Sequence, residues 1–191
     1  HTLEERELKA GLAEVIKYGV IWEQDFFDFL VDKKKEIMDL ATEEIIRAVK
    51  TSCQIKAEVV EEDETEQGLR AILNYGHTIG HALEAVTNYD YYRHGEAIAI
   101  GMAAAARIAY KLDMITKEEV KAQEELISSF GLPIRFSDLD HEEILAALTK
   151  DKKVEDGVIK FILAERIGQV KILADIPQEI TREVLAEIGG K

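Results

Sequence analysis

Apolar residues recur at helical spacing along most of this chain, and their rhythm predicts a succession of helices. The first spans about Leu3 to Val20, and a short one lies around Asp25 to Lys33. A longer helix opens at Thr42, whose hydroxyl is placed to cap orphan amides, and runs towards Val60. After a break at Glu61 to Glu66 the period returns from Leu69 to Val86. The stretch Thr87 to Arg93 reads as a loop, and the next helix covers His94 to about Leu112. Thr116 with Glu119 forms a capping box for a helix ending near Gly131-Leu132-Pro133, and Asp140 with Glu143 repeats that signature before Ile144 to Leu148. Near the C-terminus the period shortens. Val158 to Leu163 and Val170 to Leu173, on either side of Gly168, predict a small β-hairpin. A last helix follows Pro177 and ends at Gly189-Gly190. With no internal repeat or linker, residues 1–191 are expected to form a single, mostly α, multi-helical domain with a small β-hairpin near the C-terminus.

Composition narrows the function classes. An apolar fraction of 47% over 191 residues can fill a core, which excludes a disordered tail. The 38 acids outnumber 24 bases, for a net charge of −14, and argue against nucleic acid as a partner. Cys53 stands alone, so no internal disulfide is available, and a reducing, cytoplasmic setting is expected. The uncharged run Ala97 to Ala106 falls far short of the roughly 20 residues of a membrane span. Nothing near His1 resembles a signal peptide, and the chain is expected to be either processed or a piece of something longer.

Four polar residues carry the candidate chemistry. On one continuous helix at about 100° per residue, Arg70, Asn74, His77 and His81 fall within roughly 60° of one another. Leu69, Ile72, Ile79, Leu83 and Val86 gather on the far side. Most polar stripes are solvated faces, yet this one holds no Lys or Glu between Arg70 and His81, the usual occupants of exposed helix faces. Gly76 and Gly80, four apart, predict close approach by a neighbouring element, because each costs roughly 1 kcal/mol against Ala inside a helix.

His77 and His81 at i, i+4 can face one point. The segment reads His-Thr-Ile-Gly-His, without the glutamate of HExxH metalloproteases. His94 opens the most apolar helix. Glu14 lies among Leu12, Ala13, Val15 and Ile16, where a carboxylate is costly unless paired or metal-bound. A surface ion pair with Lys17 at i, i+3 would account for it equally well.

The blocks Gly11-Leu-Ala-Glu-Val-Ile-Lys-Tyr-Gly19, Lys56-Ala-Glu-Val-Val60, Asp63-Glu-Thr-Glu66, Gly68-Leu-Arg-Ala-Ile-Leu-Asn-Tyr-Gly-His-Thr-Ile-Gly-His81, His94-Gly-Glu-Ala97 and Asp151-Lys-Lys153 occur in this order. Together they closely resemble the C-terminal domain of the 3-dehydroquinate synthase family, from about Leu3 to Leu173. The resemblance implies that Glu14, His77 and His94 bind a catalytic zinc, or another divalent metal such as Co2+. It implies that Lys17, Lys56, Arg70, Asn74 and His81 line a pocket for an anionic sugar phosphate, joined by Lys152 or Lys153, with Lys152 favoured. Lys17 and His81 are the implied catalytic residues, and His81 the implied proton relay. The family converts 3-deoxy-D-arabino-heptulosonate 7-phosphate to 3-dehydroquinate and phosphate in the shikimate pathway, using NAD as a recycled oxidant.

Family members carry an N-terminal NAD-binding domain with a glycine-rich loop. No such fingerprint follows a strand here, so no cofactor-binding residue is expected in this chain, and the fragment is expected to be inactive alone. A homodimer is usual in the family. Three other readings stay open: another sugar-phosphate cyclase, a polyol or alcohol dehydrogenase-like helical domain, and a non-catalytic helical scaffold or metal-binding domain. The second usually offers an Asp and three histidines, unlike the Glu14, His77, His94 set. On a protein of charge −14, binding an anion requires local cations to reverse the global field.

Overall fold

The computed structural model describes residues 2–63, 68–151, 159–174 and 176–190. Its axis is the alanine-rich helix. Ala97 to Ala106 are each at most 3% exposed, and small side chains on all faces let neighbours approach from every direction. Three helices precede it in the first fifth of the chain: α1 (Glu5–Ile21), α2 (Gln24–Asp32) and α3 (Lys34–Met38). Then come α4 (Thr42–Glu62), a 3-10 turn over Leu69–Asn74, α5 (His77–Val86) and the axial α6 (His94–Lys111). Helices α7 (Lys117–Ser129) and α8 (His141–Asp151) lead to strands β1 (Lys160–Arg166) and β2 (Gln169–Ala174), and α9 (Gln178–Ile188) ends the order. The fold is thus mostly helical with a small antiparallel hairpin, in which Phe161 pairs with Leu173 and Ile162 with Ile172. Helices α1, α5, α7 and α9 and strand β1 pack on α6. Their apolar residues join one core.

Several local expectations are corrected. The segment from Leu69 to Val86 is not one helix. The 3-10 turn ends at Asn74, and Gly76 has φ +81°, a left-handed conformation that a side chain would strain. A Cβ at Gly76 would also stand 2.7 Å from Met102 Cγ. Helix α5 begins afresh at His77. The chain breaks here because Tyr75 is buried, with its hydroxyl donating to Gln123 Oε1 at 2.7 Å, and the backbone must turn around it.

Thr42 does not cap α4: Ala41 occupies the N-cap and no side-chain bond is made there. Helix α3 went unforeseen because five residues are too few for a period to register. The Thr116–Glu119 capping box forms as expected, with Thr116 N–H donating to Glu119 at 2.8 Å and Glu119 N–H to the Thr116 hydroxyl at 3.2 Å. Asp140 bonds differently from the expected box. Its side chain accepts from Glu142 N–H at 2.9 Å, while Glu143 N–H is taken by the Asp140 carbonyl.

Close approach between helices positions the site. A Cβ on Gly101 of α6 would fall on the Gly76 carbonyl oxygen, and one on Gly95 would fall on the Ala10 carbonyl of α1. The contact expected of Gly80 is also present, with Ile98 Cδ1 2.6 Å from where its Cβ would stand. Ion pairs reinforce the α1–α6 crossing. Arg6 donates twice to Glu96, at 2.7 and 2.6 Å, and Arg93 pairs with Glu7 at 2.7 Å. Glu96 in turn accepts from Arg93 N–H at 2.9 Å, at the N-terminus of α6 where a carboxylate is favoured.

Candidate metal centre

Glu14 projects from the middle of α1, His77 is the first residue of α5, and His94 is the first residue of α6. The glycine-mediated crossings bring these three points together. His77 Nε2 lies 3.7 Å and His94 Nε2 3.9 Å from the same oxygen, Glu14 Oε1. That oxygen is buried and has no hydrogen-bond partner. A buried carboxylate oxygen with an unmade interaction is costly, on the order of 1–3 kcal/mol or more for a charged group.

Both rings are held through their other nitrogen, Nδ1. His77 Nδ1 lies 3.2 Å from the Tyr75 carbonyl, which can only accept, so Nδ1 carries the hydrogen. His94 Nδ1 lies 3.0 Å from Glu84 Oε1, and an ionised carboxylate also only accepts. Each ring thus donates through Nδ1 and turns Nε2 toward Glu14 Oε1. Burial, and then the charge of Lys17, push His77 down to about 4, so this imidazole is neutral throughout the physiological range. A neutral imidazole is the form that binds metals.

The three atoms Glu14 Oε1, His77 Nε2 and His94 Nε2 fit one divalent ion. Ligands about 2.1 Å from a tetrahedral ion stand roughly 3.4 Å apart, so the observed 3.7 and 3.9 Å require only a few tenths of an ångström of movement. Each imidazole already has the outer hydrogen bond that orients such ligands. Among the described residues a second cluster also meets metal-ligand spacing, formed by His81, Glu84 and His94.

The ion pair expected between Glu14 and Lys17 is present, with its setting corrected. Lys17 Nζ does pair with Glu14 Oε2, at 2.5 Å, but the pair is not on the surface: Lys17 is 3% exposed. Burial lowers the Lys17 pKa despite the pairing with Glu14, and the nearby charge of Lys56 adds to the effect. The ammonium occupies one carboxylate oxygen and leaves the other facing the imidazoles.

His81 is exposed one turn along α5, its ring centroid 5.3 Å from that of His77 and 6.1 Å from that of His94. It opens onto a cleft of ≈ 770 Å³ lined also by Glu84, His94, Tyr89 and Leu148. Arg70 and Asn74 do not continue the imidazole row, because the turn at Gly76 separates them from α5. They sit instead on the 3-10 turn that packs on α1 and α4, the helices that carry Lys17 and Lys56. Asp63 fixes the start of that turn by accepting from the N–H groups of Gly68 and Arg70, at 2.8 and 3.0 Å. Lys152 and Lys153 lie outside the described residues.

Sequence reasoning missed Glu84. The signal was available: it lies between Leu83 and Ala85-Val86, an apolar setting like the one that singled out Glu14, and three positions beyond His81 on the same helix.

Comparison with known proteins identifies a family and structures of the same fold. Residues 11–154 match the family described as 3-dehydroquinate synthase C-terminal. A 3-dehydroquinate synthase from Gloeobacter violaceus is 48% identical over 190 residues, covering 99% of this chain and 52% of that protein. The chain thus spans about half the length of the curated relatives it matches. Among solved structures, 2-epi-5-epi-valiolone synthase from Streptomyces hygroscopicus subsp. jinggangensis 5008, with NAD+ and Zn2+ bound, shares the fold. It superposes with a TM-score of 0.88 at 23% identity, over 98% of this chain and 52% of its own. A 2-deoxy-scyllo-inosose synthase complexed with carbaglucose-6-phosphate, NAD+ and Co2+ gives 0.80 at 26% identity, over 97% and 53%.

Proposed function

Because the chain belongs to the 3-dehydroquinate synthase C-terminal family, we propose that it is the metal- and substrate-binding half of a 3-dehydroquinate synthase. The whole enzyme converts 3-deoxy-D-arabino-heptulosonate 7-phosphate to 3-dehydroquinate and phosphate. The observation that carries this reading is the partnerless, buried Glu14 Oε1 facing the Nε2 atoms of two histidines. Glu14, His77 and His94 hold the divalent metal, which we take to be zinc; when bound it supplies Lewis acidity to a substrate oxygen. The remaining roles belong to the chain itself.

Lys17 orients the Glu14 carboxylate through its ion pair with Oε2 and is the buried cation beside the metal ligands. Lys56, Arg70 and Lys152 supply the local positive charge that an anion needs on a protein of charge −14, with Arg70 suited to a planar carboxylate or phosphate fork. Asn74 adds a neutral hydrogen bond to the same ligand. His81, exposed beside the metal ligands, takes and returns a proton at an imidazole nitrogen as the substrate hydroxyl is oxidised. NAD is bound by the N-terminal half of the relatives' length, which this chain does not span. We take the whole enzyme to be a homodimer in the cytoplasm, a setting in keeping with the exposed free thiol of Cys53. No helix of the described residues is long and apolar enough to cross a membrane.

A related cyclase acting on a different sugar phosphate is favoured by the likeness to 2-deoxy-scyllo-inosose synthase. One assay series separates the two. The complete parent protein, supplied with NAD and zinc, is expected to release phosphate from 3-deoxy-D-arabino-heptulosonate 7-phosphate and not from glucose 6-phosphate, and residues 1–191 alone are expected to release none from either. Turnover of glucose 6-phosphate by the parent, or any turnover by the fragment, contradicts the proposal.

A further inference from the structure

Glu84 is a buried carboxylate, 7% exposed, on a helix whose neighbouring apolar residues face the core. Among the described residues its one ion-pair partner is His94, with Oε1 3.0 Å from Nδ1. Burying a carboxylate costs several kcal/mol unless what it contacts compensates. Glu84 approaches His94 from the cleft side, opposite the Glu14 side. The two carboxylates thus grip one imidazole at its two nitrogens, one by a hydrogen bond and one across 3.9 Å.

We propose, resting on the metal assignment above, that Glu84 is a positioning residue. It fixes His94 as the Nδ1–H tautomer and so aims Nε2 at the ion. Two features of the geometry require such a device. His94 is the first residue of its helix and its side chain is 51% exposed, so packing alone does not hold the ring. Free imidazole also favours the proton on Nε2, the wrong nitrogen for this site. His77 needs no carboxylate, because its side chain is largely enclosed, 13% exposed, and the Tyr75 carbonyl sets its tautomer. An outer-shell carboxylate on a metal-binding histidine is worth 10–100-fold in affinity.

The test uses the 191-residue chain and zinc alone. Zinc affinity is measured by competition with a chromophoric chelator for wild type, Glu84→Ala and the near-isosteric Glu84→Gln. The imidazole tautomers of the metal-free wild type are read by nitrogen-proton correlation NMR. The expected result is zinc binding weakened 10–100-fold in Glu84→Ala and in the same direction, by less, in Glu84→Gln, with His94 protonated on Nδ1 in the wild type. A role in packing alone would leave the tautomer and the Glu84→Gln affinity unmoved. Equal affinity in all three proteins, or a wild-type His94 protonated on Nε2, overturns the inference. So does a second zinc per chain that His81→Ala removes, since Glu84 would then be a ligand itself. A wild type that binds zinc no better than His77→Ala instead defeats the metal assignment.

Discussion

Alanine in place of Glu14 is expected to strip the chain of stoichiometric zinc. Glu14 Oε1 is the atom on which both imidazoles converge, at 3.7 and 3.9 Å, and it supplies the only negative charge in the triad. Removing it leaves two histidine ligands and a buried lysine, Lys17, whose ammonium has lost its partner. The substitution therefore acts twice: it deletes a ligand and adds an uncompensated positive charge beside the ion. The loss should exceed the roughly 10–100-fold typical of an outer-shell partner. His77→Ala removes one ligand without unpairing Lys17, so its effect should be large but smaller. Elemental analysis after zinc loading and gel filtration measures both. Equal zinc in wild type and Glu14→Ala would remove the triad assignment.

The second large effect concerns how the three helices meet. Gly101→Ala places a methyl on the Gly76 carbonyl oxygen, a backbone atom that cannot rotate aside. Relief requires α6 to move away from the start of α5, which also moves His94 away from His77. Overpacking of this kind costs typically 1–3 kcal/mol, and a backbone collision belongs at the top of that range. At 2–4 °C per kcal/mol for a chain of this size, Tm should fall by roughly 6–12 °C, with zinc affinity falling alongside.

Gly11→Ala is the contrasting case. Gly11 is exposed inside α1 with nothing within 4 Å of its Cβ position, so alanine there should stabilise by about 0.5–1 kcal/mol. Thermal melts of the two variants decide the matter. A Gly101→Ala protein as stable as the wild type would show that the α5–α6 contact is looser than described.

The helical class was legible because amphipathic periods of ten residues or more are strong signals, and the hairpin because β-branched and apolar residues flank Gly168. The break at Tyr75-Gly76 was not. Gly76 was read as a small residue for packing, which it is, but its positive φ is a backbone property that periodicity does not reveal. A projection that assumed one helix therefore placed Arg70 and Asn74 on the same row as the imidazoles. Their row is real only from His77 onward.

Glu14 was legible because a carboxylate surrounded by apolar residues announces an unusual partner. Glu84 carried the same sign and was passed over. What local pattern cannot supply is convergence. Residues 14, 77 and 94 meet because Gly95 lets α1 touch α6 and Gly101 lets α5 do so. Those contacts join residues far apart in the chain.

The most direct test is anomalous diffraction at the zinc absorption edge from crystals of the 191-residue chain grown with zinc. The expected result is one peak at about 2.0–2.2 Å from Glu14 Oε1, His77 Nε2 and His94 Nε2. A fully occupied peak elsewhere, with Glu14 Oε1 unligated, would contradict the account.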